Sequence, residues 1–388
     1  GLFVGMSARE FPEVPIGAVA RLNQRAETTE LNKTYRQIGV KLWGAGAYER
    51  EKVQGAQTKY KTLFLMEEGD IVVNKIWARN GSVAVVTKEL AGSYGSNEFP
   101  TFTPDRSQLD PQWFHWITKA RFFWERCDEQ SRGTSGQNRI KPEKFRKILI
   151  PLPPLSEQRR IVGRLEHLAS KIEEARGLSL KSSQEANALV VSAHLKFSQD
   201  SPTRVGDFLR LDEDKVPVVA SENYPQVGIY SFGRGLFARE STEGSQTTYK
   251  AFNRLFNGAF VLSQVKGWEG AVAVCDPNFA GRFVSPEYRT FCCIEGKAVP
   301  AYLDALATTS WFHSQLKGLT RGAGARRERV RPELFLDLEL PMPTAEEQKR
   351  LAAGFERLQP LKQLQAGARA ELDALLPSIL DKAFRGEL

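Results

Sequence analysis

The sequence contains few of the residues that build metal sites and disulfide frameworks. Its 388 residues include only four cysteines and four histidines. Cys127 and Cys275 stand alone, Cys292 and Cys293 are adjacent, and no cysteine or histidine group has the spacing of a zinc ligand set. We therefore expect no structural metal. We expect the cysteines to fill cores as small apolar groups in a reducing compartment.

Long apolar runs are also absent. No stretch of 18 or more apolar residues occurs, which predicts that no segment spans a membrane. The apolar stretch at the N-terminus is too short for a secretory signal peptide, and we assign no role to the first several residues. We expect a cytoplasmic protein that has no membrane partner.

Motifs for catalysis and cofactor binding are missing as well. There is no GxxxxGK[ST] phosphate-binding loop, and no GxGxxG turn joins a strand to a helix. The segment from Pro151 lacks the polar start and aromatic end of the tetrapeptide that holds the target amine in an amino-methyltransferase. The acidic run 212–214 with Lys215 fits an exposed loop better than a nuclease metal site. Since no nucleophile has a recognisable base partner, we expect a non-catalytic chain that binds no cofactor.

An internal repeat sets the organisation of the chain. Residues 35–51 (YRQIGVKLWGAGAYERE) and 224–240 (YPQVGIYSFGRGLFARE) are identical at seven of 17 positions, at an offset of 189. The register continues through GSVAV at 81 and GAVAV at 270. At an offset of 190 it reaches PLPPLSEQRR at 151 and PMPTAEEQKR at 341. The chain therefore consists of two copies of one unit of about 190 residues.

Each copy has a part with strand-like patterns followed by a part with a helical pattern, and this order predicts an α+β protein. Short β-branched and aromatic runs broken by Gly, Pro and Asn predict a largely β globule with some helix. A Pro-rich stop then precedes a long amphipathic helix. The first helix has a heptad seam from Ile161 to Lys196 that includes Leu189, and the second slips by one residue at Pro360, which predicts a kink. We expect the two helices to pair as an antiparallel coiled coil, and two separate core helices are the alternative.

Positive charge is concentrated at equivalent places in the two copies. The chain carries 54 Lys and Arg against 46 Asp and Glu, a net charge of +8, which favours a polyanionic partner modestly. Residues 121–147 have a local charge of +4 and residues 317–331 of +5, and each stretch contains a Gly-rich loop with arginines. One such loop alone fits a solvated flexible segment, but two at matching positions favour DNA binding. The candidate residues are Arg132, Ser135, Gln137, Asn138, Arg139, Arg321, Arg326, Arg327 and Arg329.

The loop after Gln37, and its counterpart after Gln226, form a second candidate surface. Each mixes cations, aromatics and glycines, although the aromatics fit a core equally well. Several equivalent positions differ between the copies, as Lys75 and Gln264 do. The same frame with different side chains predicts two modules that read different sequences. The candidates are Lys41, Trp43, Arg50, Lys75, Tyr230, Arg234, Arg239 and Gln264.

Three sequence features together resemble a known family. The segments PLPPLSEQRRIVGRLE at 151–166 and LPSILDKAFRGEL at 376–388, with the doubled QxGxxxxGxG frame, resemble the specificity subunits of type I restriction-modification systems. The resemblance covers almost the entire chain. It implies two target-recognition domains of mixed α/β, largely β fold at residues 1–150 and 200–340. It also implies spacer helices at 151–199 and 341–388.

The resemblance implies a non-catalytic subunit that reads a split target in double-stranded DNA. It implies docking of modification (methyltransferase) subunits, two in number, and of a restriction subunit with a motor nuclease. S-adenosylmethionine, ATP and Mg would be held by those partners and not by this chain. A free-standing bipartite DNA-binding regulator is the alternative, but it would not need two long docking helices. The candidate docking residues at the helix starts are Glu157, Gln158, Arg160, Glu347, Gln348 and Arg350.

Overall fold

The computed structural model describes residues 11–132, 138–319 and 329–388, with backbone alone at 359–363 and 365–366. The chain forms two compact units. Unit 1 comprises Gly1–Arg176 and Arg369–Leu388, and unit 2 comprises Gly177–Ala368. Each unit therefore contains one globule and helical segments from both sequence repeats. The predicted division at residues 150, 199 and 340 follows the repeat, and its exact bounds stay a prediction.

The globule of unit 1 is largely β. Its strands are β1 (Glu13–Pro15), β2 (Ala20–Leu22), β3 (Arg25–Thr28), β4 (Thr34–Val40), β5 (Ala47–Gln54), β6 (Thr62–Leu65), β7 (Ile71–Val73), β8 (Val83–Val85), β9 (Tyr94–Gly95), β10 (Thr101–Pro104) and β11 (Leu149–Pro151). Its helices are α1 (Ile16–Val19), α2 (Pro111–Ile117), α3 (Arg121–Ser131) and α4 (Pro142–Phe145), and the long helix α5 (Leu155–Phe197) follows.

The two-stranded sheet β1-β11 and two larger sheets make up this globule. One larger sheet has the strand order β2-β10-β7-β8 and the other β3-β6-β9-β4-β5. Alternating side chains explain why β7 is apolar throughout: Ile71 and Val73 enter the core beneath α2 and α3, while Val72 packs in a second core on the other face. Pairing of β1 with β11 brings the entry and exit of the globule side by side, directly before the Pro-rich stop.

The globule of unit 2 repeats this plan. Its strands are β12 (Thr203–Arg204), β13 (Leu209–Leu211), β14 (Asp214–Pro217), β15 (Asn223–Tyr224), β16 (Val227–Ile229), β17 (Leu236–Ala238), β18 (Thr242–Glu243), β19 (Ala251–Arg254), β20 (Phe260–Ser263), β21 (Val272–Val274), β22 (Phe283–Val284), β23 (Tyr288–Cys293) and β24 (Glu339–Leu340). Its helices are α6 (Pro300–Ala307), α7 (Ser310–Lys317), α8 (Pro332–Leu336) and α9 (Ala345–Glu356), and α10 (Gln359–Phe384) ends the chain's secondary structure.

The sheets of unit 2 confirm the repeat at the level of topology. The four-stranded sheet β13-β23-β20-β21 is the equivalent of β2-β10-β7-β8, and β12 pairs with β24 as β1 pairs with β11. The remaining strands form the sheets β14-β19-β22, β15-β18 and β16-β17, where unit 1 has one five-stranded sheet. The fold is α+β, with two largely β domains in tandem and two long helices that pair as an antiparallel coiled coil.

Helix pairing is antiparallel in unit 1. Near the start of α5, Arg160 Nη2 donates to the backbone oxygen of Leu388 at 2.6 Å. Sixteen residues further on, Arg176 Nη2 donates to Asp373 Oδ1 at 2.8 Å. Residue numbers thus rise along α5 while those of the contacted residues fall toward the start of α10, so the two helices run antiparallel. The side chain of Ile161 shares the unit 1 core with the last turns of α10.

In unit 2 the apolar seam of α5 differs from the predicted heptad. Leu189, a predicted seam residue, is exposed, and Lys196 is exposed as well. Val190 and His194 are buried in their place. A straight helix has 3.6 residues per turn, so a strict heptad drifts off the contact line over several turns. The buried positions 186, 190 and 194 follow this drift.

His194 lies in an aromatic cluster that has an apolar equivalent in unit 1. Its Nδ1 is hydrogen-bonded to the hydroxyl of Tyr302, and its ring lies 4.4 Å from that of Trp311 between centroids. Burial lowers the pKa of His194 to about 4. In unit 1 the equivalent position is Phe384, which packs edge-on against Trp113 at 5.0 Å. The last turn of each long helix therefore fills the same site in its unit.

The predicted kink at Pro360 is a complete break. Helix α9 ends at Glu356 and α10 begins at Gln359, so Pro360 lies in the first turn of α10. Proline is tolerated there because the first N–H groups of a helix have no intrahelical acceptor. The start of α9 carries a capping box, in which Thr344 and Glu347 bond reciprocally.

The cysteines behave largely as predicted. Cys127 and Cys275 are buried in apolar cores, and burial raises the pKa of the Cys275 thiol to about 11. Cys292 and Cys293 are half-buried in β23.

Candidate nucleic-acid interface

One loop in each repeat holds an aromatic residue in a left-handed backbone conformation. Trp43 has a φ of 57° and Phe232 a φ of 63°, and they are the non-glycine residues with positive φ in the part of the chain that the structure describes. The two positions are equivalent in the repeat. The left-handed region costs an L-residue about 1–2 kcal/mol, so the surroundings must impose it.

Backbone hydrogen bonds impose this conformation. Two in each repeat join the aromatic loop to the end of a neighbouring one-turn helix, Ala78–Asn80 in unit 1 and Gly267–Glu269 in unit 2. The donor and acceptor residues are Trp43 and Asn80 (2.7 Å), Gly44 and Gly81 (3.0 Å), Phe232 and Glu269 (2.9 Å), and Gly233 and Gly270 (2.9 Å). The loop geometry is therefore the same in both copies.

The glycine after each aromatic residue is required by close approach. A Cβ on Gly44 would lie 2.1 Å from the carbonyl oxygen of Thr118, and one on Gly233 would lie 2.3 Å from that of Ala307. Both glycines also have positive φ, at 64° and 60°. The doubled frame that the sequence shows thus serves to dock each loop on the helical part of its own domain.

The rings of Trp43 and Phe232 both lie at the surface. Trp43 is 52% exposed and Phe232 is 64% exposed. Trp43 packs edge-on against Trp124, with ring centroids 5.3 Å apart. Among the described ring pairs none includes Phe232. Of the two possibilities that the sequence left open for these aromatics, core or surface, the structure selects the surface.

A groove of about 410 Å³ opens beside Trp43. Its charged groups are partly paired, since Arg121 bonds Glu125 at 2.8 Å and Arg132 bonds Asp128 at 2.7 Å. The hydrogen bond from Arg132 to Asp128 raises the pKa of that guanidinium. The residues lining the groove are Trp43, Arg79, Arg121, Trp124, Glu125, Asp128, Glu129 and Arg132.

The ends of the two basic loops are anchored at equivalent positions. The N–H of Ile140 donates to the carbonyl of Lys75 at 3.0 Å, and the N–H of Val330 donates to that of Gln264 at 2.9 Å. Ile140 and Val330 are both buried. The structure thus brings together residues that the sequence analysis selected separately: Lys75 with Arg139, and Gln264 with Arg329.

A glutamate that the sequence analysis did not select completes each cluster. Glu98 Oε1 accepts from Arg139 Nη1 at 3.1 Å and lies 3.9 Å from Lys75 Nζ. Glu287 Oε1 accepts from Arg329 Nη2 at 3.1 Å. The two glutamates are 189 residues apart, in the matching segments AGSYGSNEFPTF and AGRFVSPEYRTF. That match was the signal available in the sequence.

The remaining DNA-binding candidates are exposed, and several make local contacts. Lys41 Nζ lies 5.8 Å from the ring centroid of Tyr48, and the Arg234 guanidinium lies 5.1 Å from that of Tyr230. Arg50 Nε lies 3.4 Å from a carboxylate oxygen of Glu51. Exposed members of the predicted set are Lys41, Arg50, Asn138, Tyr230, Arg234 and Arg239. Members outside the described residues are Ser135, Gln137, Arg321, Arg326 and Arg327.

The glutamines at the helix starts are internal clamps. Gln158 and Gln348 are both fully buried. Gln158 Oε1 accepts from the N–H of Asp110 at 2.9 Å, and its Nε2 donates to the carbonyls of Gln108 and Pro153. Gln348 makes the same three bonds in unit 2, to Val299, Lys297 and Pro343. These side chains tie each helix start to its globule and offer nothing to a partner.

The other predicted docking residues are accessible. Glu157 is half-buried and pairs with exposed Arg160 at 2.8 Å, and this hydrogen bond lowers the pKa of the Glu157 carboxyl. Glu347 is half-buried in its capping box, and Arg350 is exposed. Docking stays a prediction for these four.

Residues 11–132, 138–319 and 329–388 contain no group of three or more His, Cys, Asp and Glu side chains placed to hold a metal ion. Over the same residues, no helix combines the length and apolar character needed to cross a membrane.

Comparison with known proteins supports the resemblance seen in the sequence. Residues 9–181 match the family described as type I restriction modification DNA specificity domain. The specificity subunit of the type I restriction enzyme EcoEI from Escherichia coli is 27% identical over 218 residues. That match includes 53% of this chain, and the chain spans about a third of the relative's length, 36%.

Two solved structures share the fold over nearly the whole chain. A chain from a type I restriction-modification system, studied for complex assembly and conformational transition, has a TM-score of 0.65 at 18% identity, with 98% of both chains covered. The HsdS subunit from Thermoanaerobacter tengcongensis has a TM-score of 0.51 at 19% identity, with 98% of this chain and 97% of that chain covered.

Proposed function

Because residues 9–181 match the type I restriction modification DNA specificity domain, we propose that the chain is the specificity subunit of such a system. It reads a bipartite target in double-stranded DNA, with one domain for each half-site. The observation that carries this proposal is the duplicated loop frame. Both domains hold an exposed aromatic residue in a strained backbone conformation, and both anchor the residue after the basic loop, Ile140 or Val330, by an equivalent backbone hydrogen bond. The side chains of the equivalent residues Lys75 and Gln264 nevertheless differ.

The proposed division of labour within each domain follows from chemistry. Arginine, lysine and glutamine side chains beside the loops neutralise phosphates and donate to base edges. Rigid backbone bonds under each loop hold these groups in place, which is what a reader of sequence requires. Salt-dependent affinity for any DNA and sequence discrimination should therefore be separable by mutation.

We propose that the reaction itself belongs to partners. Two modification subunits would bring S-adenosylmethionine and methylate adenine in each half-site, and a restriction subunit would bring ATP and Mg. The accessible residues at the helix starts, Glu157, Arg160, Glu347 and Arg350, are the proposed docking points. Helices α5 and α10 would serve as the spacer between half-sites. This proposal expects the isolated chain neither to bind S-adenosylmethionine nor to methylate DNA.

The test is a map of methylated adenines in cells that produce the chain with its methyltransferase partner. We expect a split motif with a fixed gap. Exchange of residues 1–150 for those of a relative should then change one half of the motif and leave the other half and the gap unchanged. A chimera that is produced and active but alters both halves would contradict independent domains. A chain that retains DNA binding but fails to associate with the methyltransferase would favour a free-standing regulator.

A further inference from the structure

Each domain places one glutamate beside the arginine that follows its basic loop. The Glu98–Arg139 and Glu287–Arg329 pairs both have a nitrogen–oxygen distance of 3.1 Å. A carboxylate repels phosphate groups, so at a surface that binds DNA it is unfavourable unless it has a specific use. The same pair occurs in both domains although the neighbouring side chains differ, which indicates a use common to both.

In each pair the glutamate is the fixed partner. Its backbone carbonyl accepts from the N–H of Lys75 in unit 1 and of Gln264 in unit 2, at 3.0 and 2.9 Å. The side chains of Glu98 and Glu287 are 24% and 32% exposed, whereas those of Arg139 and Arg329 are 50% and 44% exposed. The carboxylate is therefore held in the domain, and it holds an arginine that is open to solvent.

The two oxygens of each carboxylate have different surroundings. Within the described residues, the second oxygen, Oε2, of both Glu98 and Glu287 is enclosed and has no hydrogen-bond partner. An enclosed anionic oxygen without a donor is costly, and the nearby guanidinium is its main compensation. Each arginine donates to Oε1 of its glutamate through a single nitrogen. The guanidinium has five N–H donors, so a fork remains for another acceptor.

We propose that Glu98 and Glu287 are positioning residues, which orient Arg139 and Arg329 to read one guanine in each half-site. The inference rests on the proposed function and deepens it. An arginine donates two hydrogen bonds to O6 and N7 of guanine, and this contact needs a guanidinium held in one plane. An arginine without such a hold contacts phosphates in many geometries and carries no sequence information. The glutamate thus converts a general cation into a base reader.

The experiment measures binding of the full chain, in complex with its methyltransferase partner, to duplexes that differ from the mapped target by one base pair. We expect Arg139→Lys and Glu98→Gln to lower discrimination at the same guanine by about 5- to 150-fold, equal to ~1–3 kcal/mol. The double variant should lose no more than Arg139→Lys alone, since the glutamate acts through the arginine. Glu287→Gln and Arg329→Lys should relax one position in the other half-site.

Several readouts separate positioning from a structural role. Glu98→Gln should leave affinity for non-specific DNA undiminished, because a negative charge is lost and no phosphate contact is removed. The opposite half-site serves as an internal control for folding. Glu174→Gln, which removes an exposed pair with Lys171 on α5, is the matched control and should change neither half-site.

The inference is overturned if Glu98→Gln leaves every base position unchanged, or if it weakens both half-sites together. It is also overturned if Arg139→Lys or Arg139→Ala lowers affinity uniformly for all sequences, which is the behaviour of a phosphate contact. Failure of the unmodified complex to discriminate any duplex would instead refute the proposed function.

Discussion

Replacing Phe232 by glycine should weaken DNA binding and leave the stability of the domain nearly unchanged. Glycine adopts the left-handed conformation without strain, which should raise the free energy of unfolding by about 1–2 kcal/mol. Its greater freedom in the unfolded chain should lower the free energy of unfolding by ~0.5–1 kcal/mol. The ring is 64% exposed, so its removal forfeits roughly a third of the ~1.5–3 kcal/mol of a fully buried phenylalanine. The sum lies within about 1 kcal/mol of zero, and the melting temperature should shift by no more than about 4 °C.

DNA affinity should behave differently. An exposed, rigid aromatic ring gains by stacking on a base or entering a base step, worth ~1–3 kcal/mol, so we expect a loss of about 5- to 150-fold. Fluorescence anisotropy with the target duplex measures it, alongside thermal unfolding. Phe312→Ala is the control in the same unit, because Phe312 is buried and its truncation should cost ~3–5 kcal/mol of stability. Unchanged DNA affinity in Phe232→Gly, or a destabilisation like that of the control, would refute the reasoning.

Four further changes test other parts of the molecule. Gln158→Ala removes all three hydrogen bonds of a fully buried side chain, including the bond to the buried Pro153 carbonyl, so urea unfolding should show a loss of ~1–3 kcal/mol; no loss would mean that water replaces the clamp. The folded pKa of His194 is about 4 against an ordinary 6.5. As pH falls the unfolded chain therefore binds the proton first, and stability is lost between about pH 6.5 and 4, by ~2 kcal/mol from pH 7 to 5. The double variant His194→Phe, Tyr302→Phe should remove this share of the pH dependence, and an identical profile would contradict the assignment. Arg132→Ala should lower the slope of log affinity against log salt by roughly one unit without relaxing any base position, as measured by titration at several salt concentrations. Inserting four residues within 175–185 lengthens α5 by ~6 Å, so methylation mapping should show the same half-sites with a gap longer by about two base pairs, and an unchanged gap in an active variant would rule out the spacer role.

The repeat, the globules and their bounding prolines were predictable because these features depend on local residue types. A left-handed loop that touches a neighbouring carbonyl needs glycine, so Gly44 and Gly233 keep the frame visible despite many other differences. The pairing of the long helices was predictable from their seams. Which globule each seam covers was not, because a heptad pattern shows that a helix has a partner without identifying it. This is also why Leu189 was misplaced and Val190 overlooked.

The site was predictable in its cations and aromatics but not in its acids and amides. Lys75 and Arg139 were selected from charge and position, and the fold brings them together. Glu98 was missed because an acidic residue among basic ones usually marks a solvated surface. Gln158 was misinterpreted for a similar reason, since polar residues at helix starts are generally exposed. Only the tertiary contacts show that the Gln158 side chain and one carboxylate oxygen of Glu98 are enclosed.

Unit 1 is built from two distant parts of the chain, and this determines when it can fold during synthesis. Its core includes Leu380, Ala383 and Phe384, yet its other residues end at Arg176. After Arg176 the ribosome must add 212 further residues (388 − 176) to reach Leu388 of unit 1, which takes about 10–40 s at ~5–20 residues per second. During that time the apolar face around Trp113 has no covering helix. The unit whose synthesis begins first therefore completes its core last, after all of unit 2 has been made.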